Sequence, residues 1–119
     1  LLGEDRALRR SRGVIVVVVE AALADSHHAR PCEAALEDGA TGVVECWGDD
    51  VPEGKLTSMP MAVKRKDDET VVFSWVAWPS REARDAGMKA VMEDPRCPKE
   101  MPFDGQRMIF GGFRVLVNA

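Results

Sequence analysis

Carboxylates crowded into one loop are the first chemically suggestive residues of this chain. Asp49, Asp50 and Glu53 fall within GDDVPEG, and oxygen ligands so close together can hold a hard cation or move protons. Their spacing matches no EF-hand loop, and Pro52 and Gly54 mark a solvated turn, which is the favoured reading. His27, His28 and Cys32 offer zinc-type ligands. Adjacent side chains point apart, however, and Pro31 disturbs the spacing, so a surface loop is expected. No metal site is assigned.

Lys64, Arg65 and Lys66 form a basic run that Asp67, Asp68 and Glu69 follow at once. A phosphate site would not carry its own neutralising acids, so a charge-paired hairpin tip is expected. Trp75 and Trp78 fall on opposite faces of one strand, where either is a core residue or a pocket wall. Asp104 and Arg107 flank the turn FDGQR and either pair or frame a pocket mouth. Trp75, Trp78, Asp104 and Arg107 are the ligand-pocket candidates. Cys46 reads as a buried, inert thiol. No GxSxG, P-loop, HExxH or GxGxxG is present, no cofactor is implied, and no catalytic residue is assigned.

The elements that must position these residues are readable. The chain has 119 residues, 45% of them hydrophobic and 30% charged, which suits a single domain over 1–119. A net charge of −4 gives no general attraction to phosphate backbones, so nucleic acid is not an expected partner. The longest apolar run, 14–19, is too short to span a bilayer. Three widely spaced cysteines fit free thiols in a reducing compartment, so a cytoplasmic location is expected.

GVIVVVVE reads as a strand buried on both faces. Residues 21–38 are Ala-rich and predict helix interrupted at Pro31, with Gly39 as the stop. Residues 41–47 predict a strand. Residues 61–65 and 70–78 predict a hairpin. Ser80 caps a helix whose stripe is Ala83, Ala86, Gly87, Ala90 and Val91, with Asp85 set to pair with Lys89 and Asp94-Pro95 as the stop. Residues 107–117 predict a last strand, where Gly111-Gly112 implies a bulge or a close backbone approach. The order gives an α+β, ferredoxin-like β-α-β-β-α-β subunit with helices on one sheet face. The strand 70–78 is apolar on both sides. Burying a large apolar side chain is worth roughly 1.5–3 kcal/mol, so each face requires a cover, and a second subunit is the simplest second cover.

ECWGDDVPEGKLTSMPMAVKRKDDETVVFSW, PSREARD and MPFDGQRMIFGGF resemble the small bacterial YbaA-like proteins, a family of unknown function. The resemblance covers residues 38–117. It implies membership of the dimeric α/β-barrel superfamily, in which two ferredoxin-like subunits press their open sheets together as a homodimer. That superfamily holds simple binding proteins and cofactor-independent monooxygenases. Small-molecule binding is therefore the first functional expectation, a monooxygenase-like enzyme the second, and a structural subunit of a larger complex the third. Residues 1–37 lack the aromatic and glycine motifs of such relatives and, with no initiating Met, read as a divergent or frame-altered segment.

Overall fold

The computed structural model describes residues 13–23, 33–95 and 105–118. Runs of β-branched residues dominate its architecture, because Val and Ile pack well on a pleated surface. Four strands form one antiparallel sheet: β1 (Val14–Leu23), β2 (Gly42–Trp47), β3 (Glu69–Trp78) and β4 (Ile109–Arg114). Their spatial order is β2-β3-β1-β4. The two most apolar strands, β1 and β3, therefore occupy the centre. They pair along their whole length, from Val14 opposite Trp78 to Leu23 opposite Glu69. Strand β2 runs beside β3, with Val43 opposite Val76, and β4 runs beside β1, with Val16 opposite Gly112. With the helices below, the fold is α+β.

Helix α1 (Met59–Ala62) lies in the β2–β3 connection and α2 (Arg81–Glu93) follows β3. Ser80 caps α2 by accepting a hydrogen bond from the Ala83 amide at 3.1 Å, and Asp94 ends the helix in an extended conformation. Alternation along the strands divides the core into two layers. On the α2 side, Trp78 packs with Val16, Ala35 and Ala40, and Val43, Val76, Met88 and Val91 close around them. On the opposite side, Val19, Ala21, Val63 and Val71 pack together with Val51 and Phe73. Trp78 is 1% exposed and Val63 is wholly buried, so each layer is anchored by one sealed side chain.

Gly87 explains how α2 approaches so closely. A methyl group there would overlap the six-membered ring of Trp78, so only glycine admits the indole at this distance. Gly39 reverses the chain before β2 with φ +110, a conformation that L side chains rarely adopt.

Several local expectations are corrected. Residues 61–65 are not a strand: Ser58 accepts from the Met61 amide at 3.1 Å and Pro60 sits in the first turn, which starts α1 instead. That helix closes through Lys64 at φ 50, with the Arg65 amide donating to the Pro60 carbonyl at 2.9 Å. The partners of β3 are thus β1 and β2, not a hairpin strand at 61–65. Strand β1 runs on through Ala21–Leu23, where helix was expected, and the next described element is a short 3-10 turn, Glu33–Leu36. Pairing with β3 continues there because Ala22 and Leu23 face Thr70 and Glu69 across the ladder. Strand β4 is shorter than predicted, and its ladder is unbroken across Gly111-Gly112, so no bulge forms. Ala86 is exposed and Met88 takes its place in the packing. Asp85 accepts from Arg84 instead of Lys89. Cys46 is exposed because β2 is an edge strand.

Candidate functional site

Strand β4 diverges from α2 enough to leave a groove of about 500 Å³. Val16 and the backbone of Gly111 and Gly112 form its floor, while Met88 and the two arginines of α2, Arg81 and Arg84, form its wall. Phe110 stands at the rim, 72% exposed. Arg81 and Arg84 are three residues apart and so share one helix face. The guanidinium of Arg84 donates from Nε and Nη2 to Asp85 Oδ1, at 3.0 and 2.9 Å. It rests over Gly112: a Cβ there would stand 2.5 Å from Nη1. Gly112 thus provides the close backbone approach that the Gly-Gly sequence implies, whereas a Cβ on Gly111 would meet the Phe113 ring. Sequence reasoning alone passes over Arg81 and Arg84. The sequence shows two cations at helical spacing, but not that they face the Gly-Gly strand.

A second polar assembly ties the β2–β3 connection to β4. Arg107 grips Glu69 with both terminal nitrogens, at 2.8 and 2.7 Å, and also donates to the Lys64 carbonyl at 2.9 Å. The Lys66 amide donates to Glu69 Oε1 at 2.8 Å. Arg107 holds the Glu69 carboxyl down to about 2, helped by the Lys66 amide and opposed by burial. Arg65 bonds Glu53 Oε1 at 2.8 Å and the carbonyls of Lys66 and Glu69 at 3.0 Å each. Of the basic run, Arg65 is thus ion-paired with Glu53, while Lys66 reaches the Glu69 carboxylate through its backbone amide. Beside this network lies a small cleft of about 180 Å³, lined in part by Asp49, Glu53, Arg65 and Thr70. Among the described residues, no group of three or more His, Cys, Asp or Glu converges as a metal site.

The third feature is Glu20, on the α2 side of β1. It is buried, and its Oε2 has no hydrogen-bond partner among the described residues. Burial pushes its carboxyl up to about 7, with repulsion from Glu45 adding to the effect. Partial desolvation raises Glu45 as well. Asp38 Oδ2 and Trp78 Nε1 are two more buried atoms without partners among the described residues.

The four residues expected to line a pocket are dispersed. Trp75 is half-buried on the sheet face away from α2, edge-to-face with Phe73 at 5.9 Å between ring centroids. Trp78 lies in the core beneath α2. Arg107 belongs to the Glu69 network. Asp104 lies outside the described residues, as do His27, His28 and Cys32.

The sheet face carrying Trp75 is covered at one end by Val51 and Val63. Toward its other parts, Ile15, Val17, Phe73 and Ala77 are half-buried, and Val44, Ile109 and Phe113 are 39%, 43% and 55% exposed. Among the described residues no helix is long and apolar enough to cross a membrane.

Residues 12–105 match the family described as "Protein of unknown function (DUF1428)". The chain is 47% identical over 109 residues to the uncharacterized protein YbaA of Escherichia coli K12, covering 87% of this chain and 93% of the relative. It is similar to the same extent to the uncharacterized protein YbaA of Shigella flexneri.

Proposed function

The chain belongs to the DUF1428 family of proteins of unknown function, and for this member we propose a small-molecule-binding role exercised as a homodimer. The groove between α2 and β4 carries the reading. Its volume, about 500 Å³, falls in the range of ligand pockets, roughly 300–1,000 Å³. It joins an apolar floor to a few charged groups, the combination that gives a ligand both affinity and orientation. Native mass spectrometry of the protein purified from its source cells tests the role. Retention of a small molecule that is displaced on mutating the groove supports it. A protein that carries nothing, and takes up nothing from a metabolite panel, overturns it.

The homodimer rests on the sheet face away from α2. The order β2-β3-β1-β4 with α2 on one side is read as the ferredoxin-like plan, and a second copy laid sheet to sheet closes the dimeric barrel. Val44, Phe73, Trp75, Ile109 and Phe113 then become interface instead of solvent-facing apolar surface. The proposed site of action is the cytoplasm, where the thiol of Cys46 stays reduced.

A second reading, a cofactor-independent monooxygenase-like enzyme, draws on Glu20. A buried carboxyl titrating at about 7 is suited to move a proton at neutral pH. Oxygen uptake in the presence of phenolic substrates, lost in Glu20→Gln, is its test. No uptake across a broad panel removes it.

A further inference from the structure

We propose that the α2–β4 groove selects monocarboxylic acids with a flat aromatic or short alkyl body, held by the carboxylate at Arg84 and Arg81. The proposal rests on the small-molecule-binding role above and specifies its ligand class.

Four observations lead there. First, the wall of the groove holds two guanidinium groups on one helix face, in a chain whose net charge is −4. Second, Arg84 is held in position: its side chain is 18% exposed, Asp85 fixes two of its nitrogens through one carboxylate oxygen, and Gly112 leaves room for Nη1 on the strand side. A guanidinium fixed in advance loses little freedom when it binds a planar anion. Third, Arg81 has no ion-pair partner among the described residues. It stands in the first turn of α2, where the helix dipole also favours an anion. Fourth, the remaining surface is apolar or bare backbone: Val16, Met88, Phe110 and the glycine pair.

The apolar share of the lining decides between anions. An inorganic phosphate or phosphate ester would leave Met88 and Phe110 unused and carries more charge than two arginines, one of them already paired, would neutralise. A carboxylate matches the planar fork of one guanidinium and leaves an apolar body for the floor. The exposed rim at Phe110 leaves room for the far end of the ligand.

The test is titration of the full chain with phenylacetate and octanoate, followed by calorimetry and by the NMR signals of the arginine Nε–H groups. Phenylacetamide, octanol and inorganic phosphate are the comparison probes. Saturable binding of the carboxylates is expected, with the Arg84 signal shifting and the neutral isosteres at least tenfold weaker. Arg84→Met is expected to weaken carboxylate binding at least tenfold and Arg81→Met about threefold. Gly112→Ala reads the same site without removing a charge: its methyl displaces the guanidinium end and weakens binding while the far-ultraviolet circular dichroism is unchanged. Equal binding of amide and acid, unaffected by Arg84→Met or Gly112→Ala, overturns the carboxylate selection and leaves a neutral-ligand pocket standing. Phosphate competing as well as the acids also overturns it. Failure of every probe to saturate overturns the ligand class and weighs against the binding role itself.

Discussion

Glu69 and Arg107 form a two-pronged ion pair, 2.7 and 2.8 Å long, between the start of β3 and the approach to β4. Their side chains are 7% and 15% exposed. Removing one partner of such a pair leaves the other charged and unsolvated. Arg107→Ala is therefore expected to destabilise the fold by about 3–5 kcal/mol in urea denaturation. Glu69→Gln, which keeps the shape but loses the charge, should cost less. An Arg107→Ala loss below about 1 kcal/mol would show that water already relieves the pair.

The same pair predicts acid sensitivity. The folded carboxyl of Glu69 titrates near 2, below its ordinary 4.5. The unfolded chain thus binds the proton more readily, and stability is present above pH 4.5 and lost as pH falls toward 2. Each tenfold difference in proton affinity between the folded and unfolded chain is worth about 1.4 kcal/mol, so the full contribution is at most about 3 kcal/mol. Denaturation curves collected from pH 6 to pH 2.5 should show the decline in the wild type and a shallower one in Glu69→Gln.

Glu20 has the opposite sign. Its folded carboxyl titrates at about 7, above 4.5, so the folded state holds the extra proton between those values. The contribution of Glu20 to stability is greatest below pH 4.5, falls as pH rises from 4.5 to 7, and is flat beyond. Glu20→Gln removes the titrating group and should raise stability at pH 8 by roughly 1–3 kcal/mol, with little change at pH 4.5. A variant that loses stability at pH 8 would mean that the charged carboxylate is favourably held.

Gly87→Ala places a methyl group inside the ring of Trp78 and about 3.0 Å from the Asp38 carbonyl oxygen. Helix propensity alone favours alanine by up to about 1 kcal/mol. Overpacking should win here, with a net loss of about 1–3 kcal/mol and a changed near-ultraviolet circular dichroism of the tryptophans.

Phe113 is 55% exposed on the sheet face away from α2, opposite Ile15. Its exposure means that a polar substitution there costs the isolated subunit little. Phe113→Asp should convert a sedimenting dimer to a monomer while leaving the thermal unfolding of the subunit cooperative. A wild type that sediments as a monomer at micromolar concentration would remove the paired-sheet arrangement.

The strands and α2 were legible because one signal governed each. β-branched runs made β1 and β3, and Ser80 with the Ala-Gly stripe made α2. Residues 61–65 misled because the short apolar run Met61–Val63 precedes a polar, turn-like stretch, while the Ser58 cap and Pro60 that start α1 lie just upstream. Propensity also misplaced Ala21 and Ala22, where ladder pairing with Val71 and Thr70 outweighed the helical preference of alanine. The groove escaped notice for a different reason. Arg81, Arg84 and Gly112 meet only through the packing of α2 on the sheet, and no spacing along the chain records that meeting.

The central position of β1 has a consequence for how the chain is made. Strand β1 precedes both of its neighbours in sequence, and the nearer of them, β3, begins only at Glu69. During synthesis its valines leave the ribosome long before any partner strand exists. The sheet cannot start to zip until the β2–β3 connection has passed, and it closes only with β4. Such distant pairings fold slowly and leave an unpaired, sticky strand waiting. Glu20 and the charged residues before Val14 are then the interruptions that shield this nascent segment from its own copies.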